Sequence, residues 1–118
     1  MTVEVLAGRK LKPADSNGLS DPYCKLYFGG KQFKTTTIKK TLNPEWNERF
    51  SAPIYSSGDR IRIAVWDHDR WSKDDPLGDL DLPISQLRLE EPEDKWHQIQ
   101  NVSTGDLHVK ITARKFSG

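Results

Sequence analysis

The chain has 118 residues, 35% apolar and 30% charged, which is the make-up of one globular domain around one core. No run approaches the roughly 18 consecutive apolar residues of a membrane span, and no basic-then-apolar signal segment is expected. A formal net charge of +1 lacks the basic excess that holds nucleic acid, so nucleic acid is not an expected partner. The single cysteine, Cys24, cannot form an internal disulfide, which fits a reducing, cytoplasmic setting. Asn101-Val102-Ser103 matches the N-glycosylation pattern, but nothing else points to secretion.

In chain order, period-two alternation predicts strands near residues 2–9, 21–28, 31–38, 46–51, 59–66, 77–82, 95–99 and 106–114. Four of them carry clear inward sets: Val3, Val5 and Ala7; Cys24, Leu26 and Phe28; Ile61, Ile63 and Val65; Leu107, Val109 and Ile111. Turn signals separate them at Asn17-Gly18, Gly29-Gly30, Asn43-Pro44, Ser57-Gly58, Gly78 and Thr104-Gly105. The best helical candidate covers 84–91, opened by Pro83 and Ser85 and closed before Pro92, and reads as a connection of one or two turns. Eight strands without a helical layer imply an all-β antiparallel sandwich, with its loops gathered at the two ends. No linker or repeat interrupts the chain, so residues 1–118 read as a single domain, expected to be a module of a longer protein.

Two loops concentrate the chemistry. Residues 14–22 carry Asp15 and Asp21, and residues 66–76 carry Asp67, Asp69 and Asp75. Asp67 and Asp69 stand two apart on an extended backbone, so their side chains leave on the same side, and Asp75 returns after a six-residue excursion. A cluster of carboxylates repels itself unless a cation neutralises it. Ca²⁺ accepts six to eight oxygens in loose geometry, which suits irregular loops, whereas Mg²⁺ demands a stricter octahedron. Zinc and softer metals prefer His or Cys, and His68, His97 and His108 show no shared ligand spacing. An EF-hand starting at Asp67 would need Gly and Glu where Ser72 and Gly78 stand.

No nucleophile accompanies the histidines, and Cys24 alternates with core residues, so no enzyme is expected. Trp46 reads as a packing residue. Trp71 lies mid-loop among polar neighbours, points outward on this reading, and suits the bilayer interface.

Residues 15–23 (DSNGLSDPY), 41–48 (TLNPEWNE) and 65–78 (VWDHDRWSKDDPLG) resemble, in order and spacing, those of C2 domains, among them the calcium-binding C2 domains of conventional protein kinases C and the synaptotagmins. The resemblance spans essentially the whole chain. It implies that Asp15, Asp21, Asp67, Asp69 and Asp75 are ligands of about two to three Ca²⁺ ions, with backbone carbonyls from Ala14 and His68. Asp74 stands where no ligand is expected. The end of the chain, from Gly105 to Lys110, resembles the type II strand order.

The partner implied is an anionic phospholipid membrane rich in phosphatidylserine, met by a monomer. Arg70, Asn17 and Ser72 match headgroup-contacting positions. Tyr23, Lys25, Lys34 and Trp66, alternating outward, resemble the family's site for phosphatidylinositol bisphosphate, although Gln32 replaces one of its lysines. Lys39 and Lys40 are candidates to compensate.

Setting the five aspartates aside leaves +6 on the remainder, so calcium is expected to act as an electrostatic switch that recruits a cytoplasmic protein to the membrane. The alternative is a protein-interaction domain with structural or regulatory calcium.

Overall fold

The alternating inward sets form the facing surfaces of two antiparallel sheets. The computed structural model describes residues 1–56 and 58–114; Ser57, of the Ser57-Gly58 turn signal, and residues 115–118 lie outside the described residues. One sheet contains β1 (Thr2–Arg9), β4 (Glu45–Ser51), β7 (Glu93–Gln98) and β8 (Asp106–Thr112), in the order β4-β1-β8-β7. The other contains β2 (Pro22–Phe28), β3 (Lys31–Lys34), β5 (Arg60–Asp67) and β6 (Asp75–Pro83), in the order β3-β2-β5-β6. Val3 and Val5, Cys24, Leu26 and Phe28, Ile61, Ile63 and Val65, and Leu107, Val109 and Ile111 meet in one buried core. Burial pushes the Cys24 thiol pKa up, as befits an inert core residue. Trp46 is also buried there, and its Nε1 donates to the Thr36 carbonyl at 3.0 Å. No helix among the described residues is long and apolar enough to cross a membrane.

The structure corrects three expectations. The helical candidate shrinks to a single 3-10 turn, Ile84–Gln86; beyond it the chain extends, with Leu89 bridging Ala113 and the Glu90 N–H donating to the Ala113 carbonyl. The third strand ends at Lys34 because the Thr35 hydroxyl, at 2.8 Å, takes the Cys24 N–H that would otherwise continue the ladder. A register shift between Val5 and Ala7 interrupts the β1 alternation, so Gly8 is buried while Ala7 is only half-buried.

Topology brings the two acidic loops together. β2 and β5 are neighbours with Pro22 opposite Asp67, and β5 and β6 pair with Asp67 opposite Asp75. The β1–β2 connection, which crosses between the sheets, therefore enters β2 at the same end of the sandwich from which the β5–β6 connection emerges. Gly78 lets β6 close against the rest: its φ is +96°, and a Cβ there would meet Ile99 Cγ2 at 2.5 Å, Gln100 O at 2.6 Å and Val102 Cγ1 at 2.7 Å. Next to it, Asp79 and Gln100 exchange backbone hydrogen bonds of 3.0 and 2.9 Å. Gly78→Ala should lower unfolding free energy by about 2 kcal/mol or more, since positive φ and overpacking act together. Denaturant titration checks this, and a loss under about 0.5 kcal/mol would contradict the packing described.

Candidate metal centre

The loop of residues 14–22 is shaped by its own short polar side chains. Buried Ser20 donates from Oγ to the Lys12 carbonyl (2.9 Å) and accepts from the Ala14 N–H (3.0 Å). Asn17 Oδ1 accepts from the Leu19 N–H at 3.0 Å, and the Asp15 N–H donates to the Leu19 carbonyl at 2.9 Å. These bonds close the turn and present the Asp15 carboxylate.

Asp21 is the joint between three segments. Its N–H donates to Asp67 Oδ1 at 2.7 Å, its carbonyl accepts from the His68 N–H at 2.9 Å, and its Oδ1 accepts from the Lys40 N–H at 2.7 Å. Nothing in the spacing of the sequence announced Lys40 as a backbone anchor; it takes that place with φ at +55°.

The result is a tight acidic group. One carboxylate oxygen each from Asp15, Asp21 and Asp67 lie within 4.8 Å of one another. Asp67 is only 1% exposed, and its Oδ2 has no hydrogen-bond partner among the described residues. A buried carboxylate with one oxygen lacking a donor, close to two further carboxylates, fits a hard cation better than a softer one: the donor set is all oxygen, with no imidazole or thiolate in it. Burial, then the charge of Asp15 and its carboxyl beside that of Asp67, which favours a proton held between them, and the charge of Asp21 push the Asp67 pKa up to about 6, although the Asp21 N–H pulls against the shift.

The other two sequence-predicted ligands lie outside this trio. Asp75 is exposed opposite Asp67 on β6, and with Lys12, Pro13, Ala14, Pro76 and Leu77 it lines a cavity of about 330 Å³ between the loops. Asp69 folds onto its own loop: Oδ1 accepts from the Trp71 and Ser72 N–H groups at 2.8 and 3.2 Å, and Oδ2 from Ser72 Oγ at 2.8 Å. Those donors, led by the Trp71 N–H, hold its pKa below the usual carboxylate value. Ser72 and Asn17, expected as headgroup contacts, thus also brace the loops. Ala14 is half-buried at the mouth of the cavity, and the His68 ring is exposed with Nδ1 3.6 Å from Asp74. Arg70 is exposed, and Trp71 is 89% exposed.

The lysine-aromatic face is assembled differently from the simple outward alternation expected. Lys25 Nζ lies 5.2 Å over the Trp66 ring and Lys34 Nζ lies 4.7 Å over the Tyr23 ring. Tyr23 is only 2% exposed. Its hydroxyl donates to Asp74 Oδ2, so burial and the Asp74 carboxylate together push its pKa up.

The pH dependence of the metal-free fold follows from Asp67. The folded chain keeps that proton up to about pH 6, whereas the unfolded chain releases it near 3.8, so rising pH favours unfolding across this window. Asp67→Asn retains an oxygen for the Asp21 N–H and removes the buried charge. In chelator, the variant should gain on wild type from about pH 4 to about pH 6 and then stay on the order of 2 kcal/mol ahead. Denaturant midpoints across that range measure it; a pH-independent difference would contradict it.

Comparison with known proteins places this geometry in a family. The model of the C2 domain matches residues 1–99. A C2 domain-containing protein of Arabidopsis thaliana is 44% identical over 112 residues, covering 93% of this chain and 15% of that protein. Multiple C2 and transmembrane domain-containing protein 1 of Mus musculus is 39% identical over 113 residues, covering 94% of the chain and 12% of its own length. The chain thus spans only a small part of these curated relatives. Among solved structures, the paired first and second C2 domains of extended synaptotagmin 2, calcium bound, superpose with a TM-score of 0.85 at 31% identity, covering 92% of this chain and 43% of that one. By sequence and by fold, the chain belongs to the C2 domain family.

Proposed function

We propose that this C2 domain binds anionic phospholipid membranes in a calcium-dependent manner and carries a parent protein to them. The observation that carries the reading is Asp67, a buried carboxylate whose Oδ2 lacks a hydrogen-bond partner and which stands within 4.8 Å of the carboxylates of Asp15 and Asp21. The calcium-bound state of the extended synaptotagmin 2 domains supports the same choice of ion.

On this reading Asp15, Asp21 and Asp67 would hold calcium, with Asp69 and Asp75 completing the carboxylate set and the carbonyls of Ala14 and His68 adding neutral oxygens. Calcium supplies positive charge and open coordination positions for lipid phosphate or carboxylate oxygens. The chain's own residues do the rest. The five aspartates, once neutralised, stop repelling an anionic leaflet and leave the domain's remaining +6 to attract it. Trp71, nearly fully exposed at the tip of the loop, enters the interfacial layer, where its ring is apolar and its N–H stays hydrogen-bonded. Arg70, Asn17 and Ser72 face headgroups beside it. Lys25, Lys34 and Trp66 form a second lipid-facing surface suited to phosphatidylinositol bisphosphate, with Tyr23, expected there too, buried beneath Lys34; cations poised over aromatic rings support it.

Two measurements test this. Calcium titrated with and without phosphatidylserine vesicles should show tighter apparent affinity in their presence, because lipid and ion each favour the other's binding; equal affinities would contradict the reading, and binding of calcium without any vesicle pelleting would favour a protein-docking role. Trp71→Ala should weaken vesicle binding roughly tenfold while leaving calcium affinity in solution unchanged. Co-sedimentation and calorimetry separate the two effects.

A further inference from the structure

We propose that the Tyr23 hydroxyl and the Asp74 carboxylate form a strut that sets the calcium affinity of the loop of residues 66–76, with Tyr23 a positioning residue that never touches the ion. The proposal rests on the calcium reading above and adds residues to it that are not in the ligand set.

Tyr23 sits on β2, outside the core cluster yet buried, so its ring is fixed by the sheet and by Lys34 above it. The hydroxyl donates to Asp74 Oδ2. The other oxygen of that carboxylate, Oδ1, accepts the Asp69 N–H at 2.9 Å and has His68 Nδ1 at 3.6 Å. Asp74 therefore joins a rigid strand residue to the backbone of a ligand residue. Asp69 in turn gathers the amides of Trp71 and Ser72 onto its carboxylate. The His68 ring packs edge-on to Tyr23 with centroids 6.4 Å apart, so His68 leans on the phenol directly and Asp69 through Asp74.

The physical consequence is preorganisation. A loop with several carboxylates relaxes by splaying them apart when no cation is present. A neutral phenol that holds Asp74, and through it the Asp69 backbone, opposes that splaying from outside the site. It also leaves the charge of the site untouched.

A double-mutant cycle read by calcium titration, with calcium chloride as the probe and no lipid, tests the strut. Tyr23→Phe removes one hydroxyl and no charge, and should weaken calcium binding roughly three- to tenfold, the worth of one lost charge-assisted hydrogen bond. In an Asp74→Ala background, the same Tyr23→Phe change should leave calcium affinity unchanged, because the strut is already cut. A purely structural tyrosine would lower the unfolding midpoint in chelator without moving calcium affinity, and that result would overturn the proposal. Equal fold losses in both backgrounds would overturn it too. Wild-type protein that fails to bind calcium would sink the calcium reading itself, whereas wild type that binds, with Tyr23→Phe unchanged, would sink the strut alone.

Discussion

Asp67 ends a central strand at a place where the sandwich has already excluded water, and two further carboxylates from another loop converge on it. Burying one carboxylate without a full set of donors costs several kcal/mol, and adding like charges within 4.8 Å raises that cost. The Asp21 N–H serves Oδ1 and nothing described serves Oδ2. This one strained group ties the fold to the proposed chemistry: the β2–β5 register puts it there, and an all-oxygen donor set is one that a hard cation fits.

The rest of the sandwich makes that strain sustainable. Inward residues of both sheets supply a continuous apolar core, and each large side chain so buried contributes about 1.5–3 kcal/mol before the entropy of ordering is counted. Rigidity matters as much as energy. Ser20, Lys40 and Asp74 pin the loops through backbone amides and carbonyls, so the carboxylates stand close together before any ion arrives. Such preorganisation lowers the cost of binding, because less freedom remains to be lost. Trp71 shows the complementary logic: its backbone N–H is held by Asp69 while its ring is left in solvent, the exposure that the proposed lipid contact requires.

Much of this was legible in the sequence, for definite reasons. Period two is a strong signal when both faces differ, so the inward sets of β2, β5 and β8 were readable directly, whereas the meeting of the two acidic loops followed only from the family resemblance. The places where reading fell short are those where side chains replace backbone partners. Thr35 ends β3 by offering a hydroxyl to Cys24, and no alternation pattern encodes that. The β1 bulge displaces Ala7 by one register position, which only the neighbouring strands determine. In the acidic loops, spacing alone suggested that Asp67, Asp69 and Asp75 converge, but the tight group is Asp15, Asp21 and Asp67, because Pro22 pairs opposite Asp67 while the Asp69 carboxylate turns back onto the amides of its own loop. Tyr23 reads as an outward strand residue, and its burial arises from Asp74 and Lys34, which arrive from elsewhere in the sequence.

Everything described here turns on whether a hard divalent cation relieves the buried acidic group. The most direct measurement is the thermal unfolding midpoint at neutral pH in calcium, in magnesium and in chelator. Calcium at roughly a hundred times its dissociation constant should raise the midpoint by about 10 °C over chelator, with magnesium giving much less. Midpoints that coincide in calcium and chelator would contradict a cation-relieved site at Asp67.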